Sequence, residues 1–527
     1  MPRALARAFV ALGTAATLSC YSTNYRSSFT NTSVGGAVST ADLYVKLHMP
    51  DGSLYVLEDW SIVGEAPDAR VEGTGLAYDV DRHTTGKKER RSVRVADVAV
   101  IETTQPERVT HSGGVVLGVV SGASLLVTAL CLANPKACFG SCPTFYTEEG
   151  GGRRVLQAEG FSASIARTLE DTDVDAMWTA HASRVASGPD AGTWSLSLFM
   201  TNDALETHFV DSVRVLAAPR PVGARVYRAG QRYLPARTLH APLSCASPLG
   251  DCVRTLSAPD GDEWRSPADP DDLAAHEALE LVFPHPRGKL GVVIHARSSL
   301  LNTFVFYQVL AWLGRDAVST VLAAERAGDV GAERWRAFGR LLGDIDVEVA
   351  GAGGTWTRAG AFAEVGPIAR ETQLVELPDA LPEGPLKVRL RVAKGNWKID
   401  AVSLAELLAE VQARPITPDA VLRDGKADAG ALAKLHAADG DRLVTYPRDA
   451  WELRFRLPDG DEELFLESRG FYYEWPRTQW LADEAPSEVA RLLLDPAGAM
   501  RTLAPLYKRI EPRMEEIFWA SRVGGRP

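Results

Sequence analysis

Leu386-Lys387-Val388-Arg389-Leu390-Arg391-Val392-Ala393, followed closely by Gly395-Asn396-Trp397-Lys398-Ile399-Asp400-Ala401-Val402, is the stretch whose reading decides the fold. Apolar and basic residues alternate through its first half, so an extended chain would carry one greasy face and one wet face. Upstream, Ile345, Val347 and Val349 alternate with acidic residues in the same way, and Trp356 follows a glycine run. Gly and Pro between these segments supply turns. Residues 344–412 therefore read as an antiparallel β-sandwich. The fold class expected is mostly β with added helices (α+β), in several domains.

The same alternation extends outward. Residues 43–108 carry short strands such as Leu43-Tyr44-Val45-Lys46-Leu47-His48 and Ser53-Leu54-Tyr55-Val56-Leu57, and predict a small β domain. Residues 136–343 predict a β-rich domain with helices. Strands are expected at Trp194 to Pro219, on both sides of Asn202-Asp203, and at Glu280 to His295. Helices are expected at Leu301 to Leu313 and Asp316 to Leu342. Residues 413–441, rich in Ala, Asp and Gly, read as a linker. Residues 442–527 predict a β-hairpin, Trp451 to Leu457 and Leu464 to Ser468 about the turn Pro458-Asp459-Gly460-Asp461, and then helices. One of these presents Tyr507, Ile510, Met514, Ile517 and Phe518 on one face.

Gly113 to Ala133 is the other exceptional stretch: it holds no Asp, Glu, Lys or Arg. It is long enough for a hydrocarbon core, and Gly114, Gly118 and Gly122 recur at the spacing that lets helices approach closely. Residues 109–135 are expected to be a membrane-associated apolar helix or hairpin. At the start of the chain, Arg3 and Arg7 precede the apolar run Ala8 to Leu18, the layout of a secretory signal over residues 1–20. A Ser/Thr/Asn-rich tether follows over 21–42. Cysteine usage suits an oxidising compartment, with Cys138 and Cys142, and Cys245 and Cys252, as candidate short-range disulfides.

Three resemblances follow from these residues. Ser19-Cys20 is similar to a bacterial lipoprotein cleavage site, with Thr17 where an apolar residue is usual, and implies lipidation of Cys20. The apolar stretch running into Ser141-Cys142-Pro143-Thr144-Phe145-Tyr146, with the later segments around Thr201 to Thr207 and Phe304 to Tyr307, resembles a group of uncharacterised bacterial envelope lipoproteins. Gly395 to Val402 resembles the closing strands of galactose-binding-like jelly rolls. Many of those bind sugars through loops at one end, which makes Trp356 and Trp397 candidate stacking platforms. The resemblances imply a location at the cell envelope, periplasmic or surface-facing, and an architecture.

The net charge of −11 argues against a nucleic-acid surface. Phosphate-binding loops, nucleophile elbows and His pairs at metal spacing do not occur. No catalytic residue, metal ligand or cofactor is assigned, and Asp269, Asp271 and Asp272 read as a solvated acidic loop. The function expected is a non-catalytic cell-envelope lipoprotein with a binding or scaffolding role. Its partners would be the membrane, through the lipid anchor or the apolar segment, and a carbohydrate or an envelope protein. The alternative is a secreted carbohydrate-active enzyme with an accessory galactose-binding-like module, its carboxylates drawn from Glu467 and Glu474.

Overall fold

The computed structural model describes residues 21–31, 44–49, 53–65, 68–78, 84–98, 100–110, 142–149, 152–177, 183–184, 194–314, 317, 342–351, 353–363, 365–436, 438–475 and 485–521. The expectations for Cys20, for the apolar run from 111 to 135, for Cys138 and for most of the helix after Asp316 lie outside them. Among the described residues no helix is long and apolar enough to cross a membrane. The fold is mostly β, built from antiparallel sheets with a helical C-terminal part.

The chain divides into two units, residues 1–130 with 475–485, and residues 131–474 with 486–527. Among the described residues the first unit holds a single antiparallel sheet. Its strands run in the spatial order Tyr21–Asn31, Val100–Thr110, Tyr44–His48, Leu54–Val63, Arg70–Tyr78 and Glu89–Arg94. Val45, Leu47, Leu57, Trp60, Val71 and Ile101 form its core. The tether expected at 21–42 is thus partly a strand: Tyr21–Asn31 pairs along its length with Val100–Thr110. Backbone pairing with a neighbouring strand overrides the polar composition that suggested a free segment. The strand Val100–Thr110 also runs two residues into the span read as membrane-associated.

The second unit contains two sandwiches, one inserted into the other. The host sandwich packs a sheet containing Thr144–Glu149, Arg153–Glu159, Trp194–Thr201, Ala420–Arg423 and Ala450–Leu457 on a sheet containing Asp171–Ala176, Glu206–Pro219, Arg414–Ile416, Leu443–Thr445 and Glu462–Glu474. Phe145, Leu196, Leu198, Val213, Val215, Leu453, Phe455 and Leu466 fill the space between. The inserted sandwich packs the sheet Arg225–Ala229, Arg232–His240, Trp397–Leu407, Leu290–Ser298, Glu371–Glu376 on a sheet of Ser244–Ser247, His276–Phe283, Leu386–Ala393, Ile345–Ala350 and Trp356–Phe362, with Gly250–Asp251 at its edge. The insert leaves the host at Pro219. It returns at Arg414–Ile416, which pairs with Val215 to Ala217, so entry and exit lie side by side.

The sequence alternation maps directly onto this core. Leu386, Val388, Leu390 and Val392 face inward, while Lys387 and Arg391 are exposed or half-buried on the other face. Trp397–Leu407 is buried on both faces for most of its length. The reason is that its sheet curls, bringing Arg225–Ala229 near Glu371–Glu376, and a second small core of Tyr227, Leu234, Val293, Leu374 and Ala405 fills the concave side.

Two expectations change. The segments 136–343, 344–412 and 442–527 are not separate domains, because Trp194–Thr201 pairs with Ala450–Leu457 and Glu206–Pro219 with Glu462–Glu474. The linker at 413–441 supplies Arg414–Ile416, Ala420–Arg423 and the helix Ala429–His436 to the host. Likewise, Ala450–Leu457 and Glu462–Glu474 are no hairpin. The turn at Pro458 to Asp461 carries the chain from one sheet of the host to the other.

The helix Leu300–Leu313 begins at Ser299, whose hydroxyl accepts the Leu301 amide at 3.0 Å. Free of charged residues, it is buried along most of its length, under the helices Pro486–Leu494, Pro496–Ile510 and Met514–Ser521. Tyr507, Ile510, Met514, Ile517 and Phe518 are all buried, as their spacing predicts.

Candidate functional site

Register places three loops at one end of the inserted sandwich. Phe283 pairs with Leu386, Val349 with Val388 and Ala350 with Trp356, so the loops after Phe283, Ala350 and Glu376 emerge together. Between the first and third lies an open cleft of about 490 Å³, lined by Pro284 to Gly288, Asp379, Leu381 and Glu383 to Pro385. His285 Nδ1 lies 3.2 Å from the Gly384 carbonyl and ties the two walls together. The lining mixes a guanidinium, two carboxylates, an imidazole and apolar rings and chains. That composition suits an uncharged, hydroxyl-rich ligand better than a strongly charged one.

Trp356 stands at the same end, on the edge strand, two strand spacings or about 10 Å across from Leu386. Its ring is half-buried, and the Arg389 guanidinium lies 4.5 Å from the ring centroid. Arg389 is itself held by Glu348 at 2.5 Å. Trp397 is at the opposite end and is 1 % exposed. It meets Phe362 edge-to-face at 5.6 Å, so it is a core residue and no stacking platform.

The carboxylate pair proposed for glycoside hydrolysis does not converge. Glu467 and Glu474 share the strand Glu462–Glu474. Seven residues apart, they point to opposite faces and are separated by about 23 Å, against about 5–9.5 Å in glycosidases. Glu467 is engaged by Arg214 at 2.7 Å, and Glu474 accepts the Tyr307 hydroxyl.

The expected Cys245–Cys252 disulfide is formed. The bridge expected between Cys138 and Cys142 is not: Cys142 is a buried thiol that donates to Glu159 Oε1 at 2.8 Å. Glu159 Oε2 accepts the backbone amides of Ile368 and Ala369 at 2.8 and 3.3 Å, so a host carboxylate grips a loop of the insert. Gly366 makes room for it, since a Cβ there would sit 2.1 Å from Glu159 Oε2. In the loop read as solvated and acidic, Asp269 accepts the Asp271 and Asp272 amides and pairs with Lys394 at 2.9 Å.

A cluster absent from the sequence reading lies where host and insert meet. Asp173 and Asp175 alternate with Val174 and Ala176 on the edge strand Asp171–Ala176. Val174 and Ala176 pack with Leu216, Ala218, Phe465 and, from the insert, Val226. The two aspartates thereby share the strand's other face, beside Glu371 of the insert. Ligand oxygens of Asp173, Asp175 and Glu371 lie within 4.8 Å of one another. Burial, followed by the charges of Asp173 and Glu371, holds the Asp175 carboxyl well above the usual carboxylate range. Burial, followed by the charge of Asp173, pushes Glu371 up to about 8. Burial raises Asp173 too, against the pull of Arg228. Nearby, burial and the charges of Arg225 and Arg370 push His295 down to about 4, and its Nδ1 lies 2.8 Å from the Thr372 hydroxyl. The signal that could have found the cluster is Asp-Thr-Asp-Val-Asp-Ala, in which acidic residues occupy every second place of a strand. Glu371 lies almost two hundred residues downstream and gives no local cue.

No protein-family model and no curated protein matches the chain. Among solved structures, one similarity is to a chain described as "Structure of infectious bursal disease virus Gx strain", at 10 % identity over 95 % of this chain and 89 % of that one, with a TM-score of 0.12, and a score that low carries no argument about fold or function.

Proposed function

We propose that this protein is a non-catalytic bacterial cell-envelope lipoprotein, anchored through Cys20, whose inserted sandwich binds a ligand at its loop end. The observation that supports the reading is the cleft between Pro284 to Gly288 and Asp379 to Pro385, with Trp356 at the same end of the sandwich. Mixed hydrogen-bonding groups in an open cleft, with an aromatic ring at the same end of the sandwich, suit a sugar, and a carbohydrate is the ligand class proposed. The enzymatic alternative loses its carboxylate pair, because Glu467 and Glu474 lie on opposite faces of one strand.

The reading is tested on two levels. Cys20→Ala should release the protein from the membrane fraction, and the mature native chain should start at Cys20 with the mass of attached acyl groups. A variant that stays in the membrane as firmly as the native chain would transfer anchoring to the apolar stretch. For the ligand, a glycan array probed with the native chain should give signals that Asp379→Ala and Arg287→Ala abolish. Signals unchanged by both variants would remove the cleft from the proposal.

A further inference from the structure

We propose that Asp173, Asp175 and Glu371 form a calcium site that clamps the host sandwich to the inserted one. Asp175 is 2 % exposed, and neither of its oxygens finds a hydrogen-bond donor. Asp173 accepts the backbone amides of Val174, at 2.9 Å, and Phe161, and Glu371 accepts Gln373 Nε2 at 3.2 Å. Among the described residues none of the three makes an ion pair; Arg228, whose charge reaches Asp173, points its Nη1 to the Gly230 carbonyl at 3.5 Å.

Two buried carboxylates and a half-buried one, with no donor on Asp175, are poorly compensated. A buried carboxylate survives in folded proteins when it is paired or bound to a metal. Carboxylate oxygens alone, with no sulfur or imidazole in the group, select a hard cation. Bonds of about 2.4 Å place opposed oxygens on calcium about 4.8 Å apart, the limit within which these three groups lie. Magnesium, with bonds of about 2.1 Å and a demand for regular octahedral geometry, fits a protein cage of this kind less readily. Two ligands come from the host edge strand and one from the insert, so the ion would tie the two bodies together.

The test uses the full chain above pH 8, past the value of about 8 to which Glu371 is raised. Equilibrium dialysis against calcium chloride should show one ion bound per native chain, and thermal unfolding should shift upward when chelator is replaced by calcium. At a calcium concentration of a hundred times the dissociation constant, the folded-to-unfolded ratio rises about 100-fold. Asp175→Asn with Glu371→Gln should bind no ion at this place and show no calcium response. It should also unfold at a higher temperature than the native chain in chelator, because neutral amides do not repel. That last reading separates loss of the site from loss of the fold. A native chain that binds no calcium, or a folded double variant that responds to calcium as the native chain does, would overturn the proposal.

Discussion

Replacing Trp397 with alanine separates a core residue from a ligand platform. The ring is 1 % exposed and packs edge-to-face on Phe362 at 5.6 Å. Removing a fully buried Trp costs about 3–5 kcal/mol, of which about 0.5–1.5 kcal/mol belongs to the aromatic contact itself. Trp397→Phe should cost far less, about 1 kcal/mol, for a reason visible in the structure. The indole Nε1 finds no acceptor among the described residues, and an unsatisfied buried donor carries a penalty of about 1–3 kcal/mol that phenylalanine removes. The assay is equilibrium denaturation in urea, followed by circular dichroism, with ligand binding measured on the folded variants. The reasoning predicts a large loss for Trp397→Ala, a small one for Trp397→Phe, and unchanged binding for Trp397→Phe. If Trp397→Ala matched the native stability while losing ligand, the ring would be a platform and its placement in the core would be refuted. Equal losses for the two variants would refute the argument about the orphaned indole donor.

In the metal-free protein Glu371, raised from 4.5 to about 8, should contribute stability that is lost as pH climbs from about 4.5 to 8, and the raised carboxyls of Asp173 and Asp175 act in the same direction. His295, lowered from 6.5 to about 4, contributes stability that is lost as pH falls from 6.5 through 4, each group's limb sloping by at most about 1.4 kcal/mol per pH unit; urea midpoints across pH check this, and Glu371→Gln should make the alkaline fall shallower without abolishing it. Removing the Cys245–Cys252 bridge by paired serine substitution should cost about 2 kcal/mol, the loop-closure entropy of its seven-residue separation, measured by denaturation with and without reductant. Gly366→Ala should push Glu159 off the Ile368 and Ala369 amides and cost about 2 kcal/mol, read by thermal unfolding, whereas a neutral outcome would mean the loop shifts to accommodate the methyl.

Much of the strand content was legible because burial on one face imposes a period of two, and Leu386 to Val392 obeys it. The helix Leu300–Leu313 was legible because fourteen residues without a charge need cover on every side. Connectivity between sheets was not legible. Pro458-Asp459-Gly460-Asp461 reports that the chain reverses, but the same turn serves a hairpin within one sheet or a crossing between two, and only the partners Trp194–Thr201 and Glu206–Pro219 decide. Tyr21–Asn31 was read as a tether because its composition is polar, and its pairing with Val100–Thr110 is made by backbone groups that composition does not describe. The carboxylate cluster was hidden for a related reason. Its three members come from strands that no local pattern connects.

The nesting of one sandwich inside the other sets an order of events for a chain that emerges from its N-terminus. Every strand of the insert lies between Arg225 and Leu407, so that body can close as soon as Leu407 is available. The host cannot, because Trp194–Thr201 and Glu206–Pro219 wait for partners that begin at Ala450. During that interval the early host strands stand with unpaired edges, the condition under which chains associate wrongly. The insert, already folded, holds Pro219 and Arg414 together and so shortens the search that the late strands must make. Chains cut before Ala450 should therefore retain a protease-resistant core spanning the insert while residues 142–219 are digested, and the host should be the slow phase in refolding of the complete protein.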